Sequence, residues 1–326
     1  MKVLLLGDQN TFVYDLQWGY KQIGCNVRIS QNHRMKESLD KEIQEYKPDL
    51  IMTFGSPLYG IRRPEIMEYL GKRSGNVTYQ YIHWDTDGWL NAKVHQYMLI
   101  SKTYPDKIFT VCKEALAFYE TKGFSGGIMR YGINPEVFHK VKANEKYKGM
   151  ITYIANDYKG RMTDTRFYKG QSIDILYGGL IKNRIKVDLW GSAGMKDLYS
   201  HWTNQTPENC YHGICPYFVL KDVYGSCYMN LATQNSKYHV TKRTYDILGS
   251  QGFVLTYNTG GINEEFENGK DLIAVNSTEE ALYYIEYYTK HIDEYNKIKE
   301  NGYKKVMTQY TYKHRLQGML GEIGVL

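Results

Sequence analysis

The chain contains no long apolar run. No stretch approaches the roughly 20 consecutive apolar residues that a membrane-spanning helix needs, so a transmembrane protein is not expected. Its first seven residues, MKVLLLG, are too short for the apolar core of a secretory leader and read as a first buried strand. A cytoplasmic protein is the expectation. Cysteine is sparse and unpatterned: Cys25, Cys112, Cys210, Cys215 and Cys227 make an odd set with no disulfide spacing. Cys210, His212 and Cys215 lie close together, but no second cluster exists to complete a closed zinc site, so no metal is expected there. Internal repeats and low-complexity segments are missing. So is a G-x-G-x-x-G after the first strand, where Gly7-Asp8-Gln9 stands, and dinucleotide binding by the first half is not expected. Strong charge imbalance is missing too. A net charge of +6 suits an anionic small molecule, an acidic polymer or nucleic acid, and does not choose among them.

What is present is a two-domain α/β pattern. At 326 residues, 42% hydrophobic and 23% charged, the chain can fill two cores of ordinary size. Short apolar runs at Val3–Leu6, Val27–Ile29, Leu50–Phe54, Val77–Trp84, Lys107–Cys112 and Ile128–Tyr131 alternate with helical spacing at 12–23, 35–46, 88–101 and 113–122. Continuous apolar strands separated by helices predict a parallel sheet covered on both faces. The charged segment Lys140–Lys148 reads as a linker. A second series follows: strands Met150–Ala155, Val187–Trp190, Tyr228–Leu231 and Phe253–Tyr257, helices near 167–180 and 217–224, and a helix opened by the capping box Ser277-Thr278-Glu279-Glu280. The predicted domains are 1–140 and 149–308, with a tail, 309–326, whose helix at 311–322 crosses back to the first domain.

Ligands of open parallel sheets sit beyond the carboxyl ends of the strands, and that rule picks out the chemistry. After the fourth strand stands His83-Trp84-Asp85-Thr86-Asp87, two carboxylates at a strand end, either functional or a solvated loop. After the first strand of the second series come Arg161, Arg166 and Lys169, a diphosphate-holding set or a basic surface loop. Near the end, a basic helix start (Thr241, Lys242, Arg243) leads to Asp246. A buried strand follows, and then Gly260-Gly261 opens a helix carrying Glu264 and Glu265. Free amides behind a glycine pair suit a phosphate. A cation such as Arg243 at a helix N-terminus opposes the dipole and needs a reason.

From 239 to 315 the sequence resembles the CgeB-like spore-maturation group of two-Rossmann-domain (GT-B) glycosyltransferases. In that group R-x-F-E-A-L-A-x-G-x-x-L-T precedes a glycine and a Phe-x-x-Gly-Lys. Arg243, Tyr245-Asp246-Ile247-Leu248-Gly249, Gly252 and Leu255-Thr256 fill those places, and Phe266-Glu267-Asn268-Gly269-Lys270 follows. Tyr131-Gly132-Ile133-Asn134-Pro135 resembles the turn closing the first domain, and Gln309-Tyr310-Thr311-Tyr312 with Arg315 the family's tail. Two positions depart: Asp246 replaces the usual Glu, and Tyr238 stands where the wider retaining group has a second acidic residue.

The resemblance implies two doubly wound parallel-sheet domains facing across a cleft. It implies transfer of a sugar from a nucleoside-diphosphate donor, most readily a UDP-sugar, to an acceptor hydroxyl, with retention of configuration, no cofactor and no required metal. Arg161, Arg166, Lys169 and Arg243 would hold the diphosphate, Asp246 the ribose, and Gly260, Gly261 and Glu264 would complete the donor side. His83 would meet the transferred sugar, and Asp85 or Asp87 would orient the acceptor. Asp85-Thr86-Asp87 also matches the D-x-D metal motif of the other glycosyltransferase fold, which the second βα series argues against. The acceptor implied is a cell- or spore-surface glycan or protein. Two alternatives stand beside this: a phage-type transferase glucosylating modified bases in DNA, and a non-catalytic nucleotide-sugar binding module.

Overall fold

A computed structural model describes residues 1–7, 10–30, 35–55, 64–72, 78–88, 105–156, 164–165, 167–203 and 209–325. The chain divides into two compact units, Met1–Asn134 with Thr311–Leu326, and Pro135–Tyr310. None of the described helices is long and apolar enough to cross a membrane.

Unit 1 is a six-stranded parallel sheet. Its strands are β1 (Lys2–Leu6), β2 (Asn26–Ile29), β3 (Leu50–Phe54), β4 (Gln80–Asp85), β5 (Lys107–Thr110) and β6 (Gly126–Ile128), in the order β2-β1-β3-β4-β5-β6. β3 and the VLLL run of β1 are buried throughout, as strands covered on both faces must be. Helices Asn10–Gln22, Lys36–Tyr46, Pro64–Lys72 and Lys113–Glu120 follow four of the strands. The last strand comes two residues earlier than its apolar run suggests. Gly126 and Gly127 are the reason: a Cβ on Gly126 would lie 1.6 Å from the Ile108 carbonyl oxygen, so only glycine lets the chain pair this closely with β5. Most of the helix expected at 88–101 lies outside the described residues, and the helix Pro64–Lys72 is not among the expected elements.

The C-terminal helix Tyr312–Glu322 belongs to unit 1 and packs on Asn10–Gln22. Gly19 makes the close approach possible, since a Cβ there would meet Leu316 Cδ1 at 2.8 Å and Tyr312 Cβ at 3.0 Å. The backbone joins in, with Tyr312 N–H donating to the Ile133 carbonyl at 3.0 Å and Arg315 Nε to that of Tyr131 at 2.9 Å.

Unit 2 is a five-stranded parallel sheet: β7 (Ile151–Ile154), β8 (Asp188–Trp190), β9 (Met229–Ala232), β10 (Val254–Tyr257) and β11 (Ile273–Val275), in the order β11-β10-β9-β7-β8. Between β7 and β8 the chain runs Tyr168–Ile173, one π turn at Asp174–Gly178, then Gly179–Lys182. Thr278 Oγ1 donates to the Ile175 carbonyl within the π turn at 2.9 Å. The capping box at Ser277 is only half made. Ser277 Oγ accepts from Glu280 N–H, but the Glu280 carboxylate takes the Asn276 amide, one residue upstream, at 2.7 Å. The charged segment 140–148 packs within unit 2. Asn144 N–H donates to Ser226 Oγ at 2.9 Å, and Tyr147 is buried with Trp190, Val223 and Cys227.

Leu316 is fully buried in unit 1. Leu316→Ala should therefore destabilise the protein by about 2–5 kcal/mol, and Gly19→Val, which overpacks the same contact, by about 1–3 kcal/mol. Chemical denaturation followed by fluorescence reads both. A midpoint unchanged in both variants would show that the terminal helix does not hold unit 1 together.

Candidate functional site

In unit 2, β8 lies on one side of β7 and β9 on the other, so the chain reverses its winding between β7 and β9. A crevice at the carboxyl ends of two such strands is where open sheets receive ligands. One buried amide organises this edge. Gln234, two residues past β9 and fully buried, has Nε2 within reach of the Ala232 carbonyl (3.1 Å), Thr244 Oγ1 (3.0 Å) and Thr256 Oγ1 (2.8 Å). Its Oε1 accepts from Thr241 N–H at 2.9 Å, and its own backbone N–H donates to Ser172 Oγ at 2.9 Å. The ends of β9 and β10, the start of helix Lys242–Gly249 and the helix Tyr168–Ile173 are thus fastened to one residue.

Fixing that helix start aims Arg243 back at the switch point. Arg243 Nη1 donates to Thr233 Oγ1, just past β9, at 3.3 Å, and the guanidinium lies 5.6 Å from the ring centroid of Tyr153 on β7. The Tyr153 hydroxyl bonds the same Thr233 hydroxyl at 3.1 Å. A cation at this helix end works against the dipole; the ring face and the threonine hydroxyl offset part of that. Lys169 is half-buried on the helix after β7, beside Tyr168, whose hydroxyl donates to the Asn258 carbonyl at 3.3 Å. Arg161 and Arg166 lie outside the described residues.

Asp246 is buried one turn beyond Lys242, which is itself half-buried. Lys242 Nζ is 2.8 Å from Asp246 Oδ1, and the ammonium lies 5.0 and 5.7 Å from the ring centroids of Phe138 and Tyr217. In the sequence Lys242 stands out only as part of a basic helix start. The i,i+4 spacing of Lys and Asp was the available signal. A buried charge left alone is far more costly than an exposed one, so Lys242 and Asp246 are best treated as one unit.

The glycine pair serves a purpose other than the one expected. Gly261 N–H donates to the Lys237 carbonyl at 2.9 Å and Ile262 N–H to the capping Thr259 Oγ1 at 3.0 Å, so these amides are engaged within the protein. A Cβ on Gly261 would lie 2.7 Å from the His239 backbone. Close packing of two backbone segments, not a phosphate cradle, accounts for glycine here. Gly260 and Glu264 are exposed on the same short helix. Tyr238 has its N–H bonded to Ser236 Oγ at 3.1 Å and carries the Lys237 ammonium over its ring. His212 pairs through Nε2 with the buried Asp188 at 2.8 Å and stacks on Trp190. Among the described residues no three His, Cys, Asp or Glu side chains converge as a metal site would require.

In unit 1 the end of β4 divides by side-chain alternation. Trp84 points into an aromatic cluster with Phe12, Tyr131 and Tyr312 and donates Nε1–H to the Met129 carbonyl at 2.7 Å. Tyr81, His83 and Asp85 share the other parity. His83 Nδ1 is 2.8 Å from Thr53 Oγ1 on β3, and burial lowers its pKa to about 4. Asp85 closes the strand. Its Oδ1 accepts from the amides of Asp87 (3.0 Å) and Gly88 (3.1 Å), and its Oδ2 from the Tyr119 hydroxyl (2.8 Å). One oxygen of Asp85 therefore holds the turn and the other ties the strand end to helix Lys113–Glu120, a structural use that the D-T-D spacing does not reveal. Burial raises its pKa to about 7, with Asp87 adding and the three donors opposing. Asp87 is half-buried, the more accessible carboxylate of the two.

The Asp85 shift has a sign that can be checked. A carboxyl whose folded pKa is raised contributes stability that is full below the unfolded value, near 4, and lost as pH climbs through about 7. His83, with a lowered folded pKa, contributes in the opposite sense and loses stability as pH falls from about 6.5 towards about 4. Asp85→Asn keeps an oxygen for the two turn amides. It should flatten the loss between pH 5 and pH 8 by an amount on the order of 2 kcal/mol. Urea melts of parent and variant at both pH values give the comparison, and parallel pH profiles would show that Asp85 ionises normally.

Residues 178–321 match the family described as glycosyl transferase-like. No curated protein sequence matches the chain. Solved structures match it over nearly its whole length. HepE from Anabaena, in a complex with UDP-glucose, is 12% identical with a TM-score of 0.67, all of each chain being covered. Sucrose-phosphate synthase from Thermosynechococcus elongatus is 12% identical with a TM-score of 0.66, covering 99% of this chain and 98% of that one. A glycosyltransferase from Rickettsia africae is 14% identical with a TM-score of 0.65, covering 98% and 97%. The fold is therefore GT-B, and within it residues 178–321 are similar to the glycosyl transferase-like family.

Proposed function

We propose that the protein is a glycosyltransferase that takes a nucleoside-diphosphate sugar, most readily a UDP-sugar, in unit 2 and passes the sugar to an acceptor hydroxyl. The observation that carries this reading is Arg243, held by the Gln234 hub over the carboxyl ends of β7 and β9. A fixed cation at a switch point can neutralise the charge that grows on a diphosphate as its bond to the sugar breaks. Structures of HepE with UDP-glucose, with UDP, and with UDP and glucose support UDP as the nucleotide. Lys169 at the same edge, with Arg161 and Arg166 before it, would share the diphosphate charge. The Lys242–Asp246 unit would face the ribose. In unit 1, His83 and Asp87 would serve the transferred sugar and its acceptor. The finer reading is retention of configuration, no metal or cofactor, and a cell- or spore-surface glycan or protein as acceptor; it rests on the CgeB-like sequence pattern of residues 239–315. A cytoplasmic enzyme suits a cytoplasmic nucleotide sugar.

The non-catalytic alternative draws on one observation, that Asp246 is already paired with Lys242 in the protein. Hydrolysis of UDP-glucose in the absence of acceptor separates the two, since a binding module leaves the donor intact.

Arg243→Ala should weaken UDP binding by about 1.5–3 kcal/mol, the range for a charge-assisted hydrogen bond, with thermal stability nearly unchanged. Calorimetric titration of UDP into both proteins measures it, and equal affinities would remove Arg243 from the site. Turnover should persist in excess chelator. Activity lost to chelator and restored by manganese would revive a metal role for the Asp85–Asp87 turn.

A further inference from the structure

The polar face of β4 contains a hydrogen-bonded chain that ends in an orphan. Parallel register sets Thr53 on β3 beside His83 on β4, and Tyr81 lies two residues before His83 on the same face. The Tyr81 hydroxyl is 3.2 Å from Thr53 Oγ1, and Thr53 Oγ1 is 2.8 Å from His83 Nδ1. All three residues are at most 2% exposed. His83 Nε2 has no hydrogen-bond partner among the described residues.

Proton counting decides which way the chain runs. Each hydroxyl has one hydrogen. If Tyr81 donates to Thr53 and Thr53 donates to Nδ1, both hydroxyl hydrogens are used and the ring proton must sit on Nε2. In the reverse direction Nδ1–H donates to Thr53 and Thr53 donates to Tyr81. The phenol hydrogen is then buried with no acceptor and Nε2 is left as a bare lone pair. The first arrangement has one buried defect and the second has two, so the first is favoured. Burial keeps the ring neutral at pH 7. The outcome is an Nε2–H group at the carboxyl end of a central strand, lacking an acceptor among the described residues.

We propose that Tyr81 and Thr53 are positioning residues that hold His83 as its neutral Nε2–H tautomer, a hydrogen-bond donor to an oxygen of the bound substrate. The substrate clause rests on the transferase reading above; the relay itself does not. In this arrangement His83 cannot act as a general base, because Nδ1 is already occupied and Nε2 already carries its proton. It can only steady an oxygen, a sugar or acceptor hydroxyl, by donation.

Long-range proton–nitrogen spectra of the histidine-labelled full chain at neutral pH, with His83 assigned by loss of its signals in His83→Gln, test the relay without any ligand. The parent should show a protonated Nε2 and an unprotonated, hydrogen-bonded Nδ1. Thr53→Val should move the Nδ1 resonance to the position of an unbonded ring nitrogen, and Thr53→Ser should restore it. Tyr81→Phe, which keeps the fold should Thr53→Val lose it, should move Nδ1 the same way by less, because it removes only the outer bond of the chain. A proton on Nδ1 in the parent overturns the proposal, as does an Nδ1 resonance indifferent to Thr53→Val. With UDP-glucose as the donor probe, Thr53→Val should lower kcat/KM about tenfold and Thr53→Ser should recover most of it. Unchanged kcat/KM in Thr53→Val would overturn the substrate-oxygen role. Absence of turnover in the parent counts against the transferase reading, and the spectra still decide the relay.

Discussion

Gln234 is the side chain on which the donor side of this protein depends. A carboxamide has donors and an acceptor on one short stem, and here both ends are engaged inside a fully buried site. An apolar residue of the same size would leave the Thr241 amide without its partner in a region water does not reach, a costly outcome. Through the Thr241 contact the amide sets where helix Lys242–Gly249 begins. That start sets where Arg243 points, and the same helix brings Lys242 and Asp246 together one turn later. Arg243, Lys242 and Asp246 are placed by one polar junction, with Thr244 and Thr256 as its other supports.

Unit 1 solves a related problem along β4. Strand alternation gives one strand two kinds of neighbour. Trp84 faces rings from helix Asn10–Gln22, the 131 turn and the C-terminal helix, so the apolar side of β4 is closed partly by the far end of the sequence. The other side carries Tyr81, His83 and Asp85, each matched to polar groups from β3, the following turn or helix Lys113–Glu120. Such buried polar chains are rigid because every break leaves a group unsatisfied. A rigid strand end is a suitable place from which to present one nitrogen to a ligand.

Two carboxylates singled out by the sequence, Asp85 and Asp246, meet the same constraint. Asp85 and Asp246 are both buried and both have internal partners, Tyr119 with two turn amides in one case and Lys242 in the other. Exposed carboxylates need no such provision. Burial of a charge requires that it be matched, and the matching group is often what a linear motif does not show.

The alternation of strands with helices, the parallel sheets and the two-unit plan were determined by the sequence itself. Runs such as VLLL and LIMTF can be buried on both faces only between covering helices. Arg243 at a helix start could also be recognised as needing a reason. What each polar group bonds to was decided only by tertiary structure. Gln234 carries no periodic signal, and its partners come from two strands and two helices. Gly260-Gly261 looks like an anion cradle until the Lys237 carbonyl and the His239 backbone are brought against it. Apolar periodicity is a local property that a sequence displays directly. Hydrogen-bond satisfaction is a property of neighbours in space, and those neighbours exist only once the chain has folded.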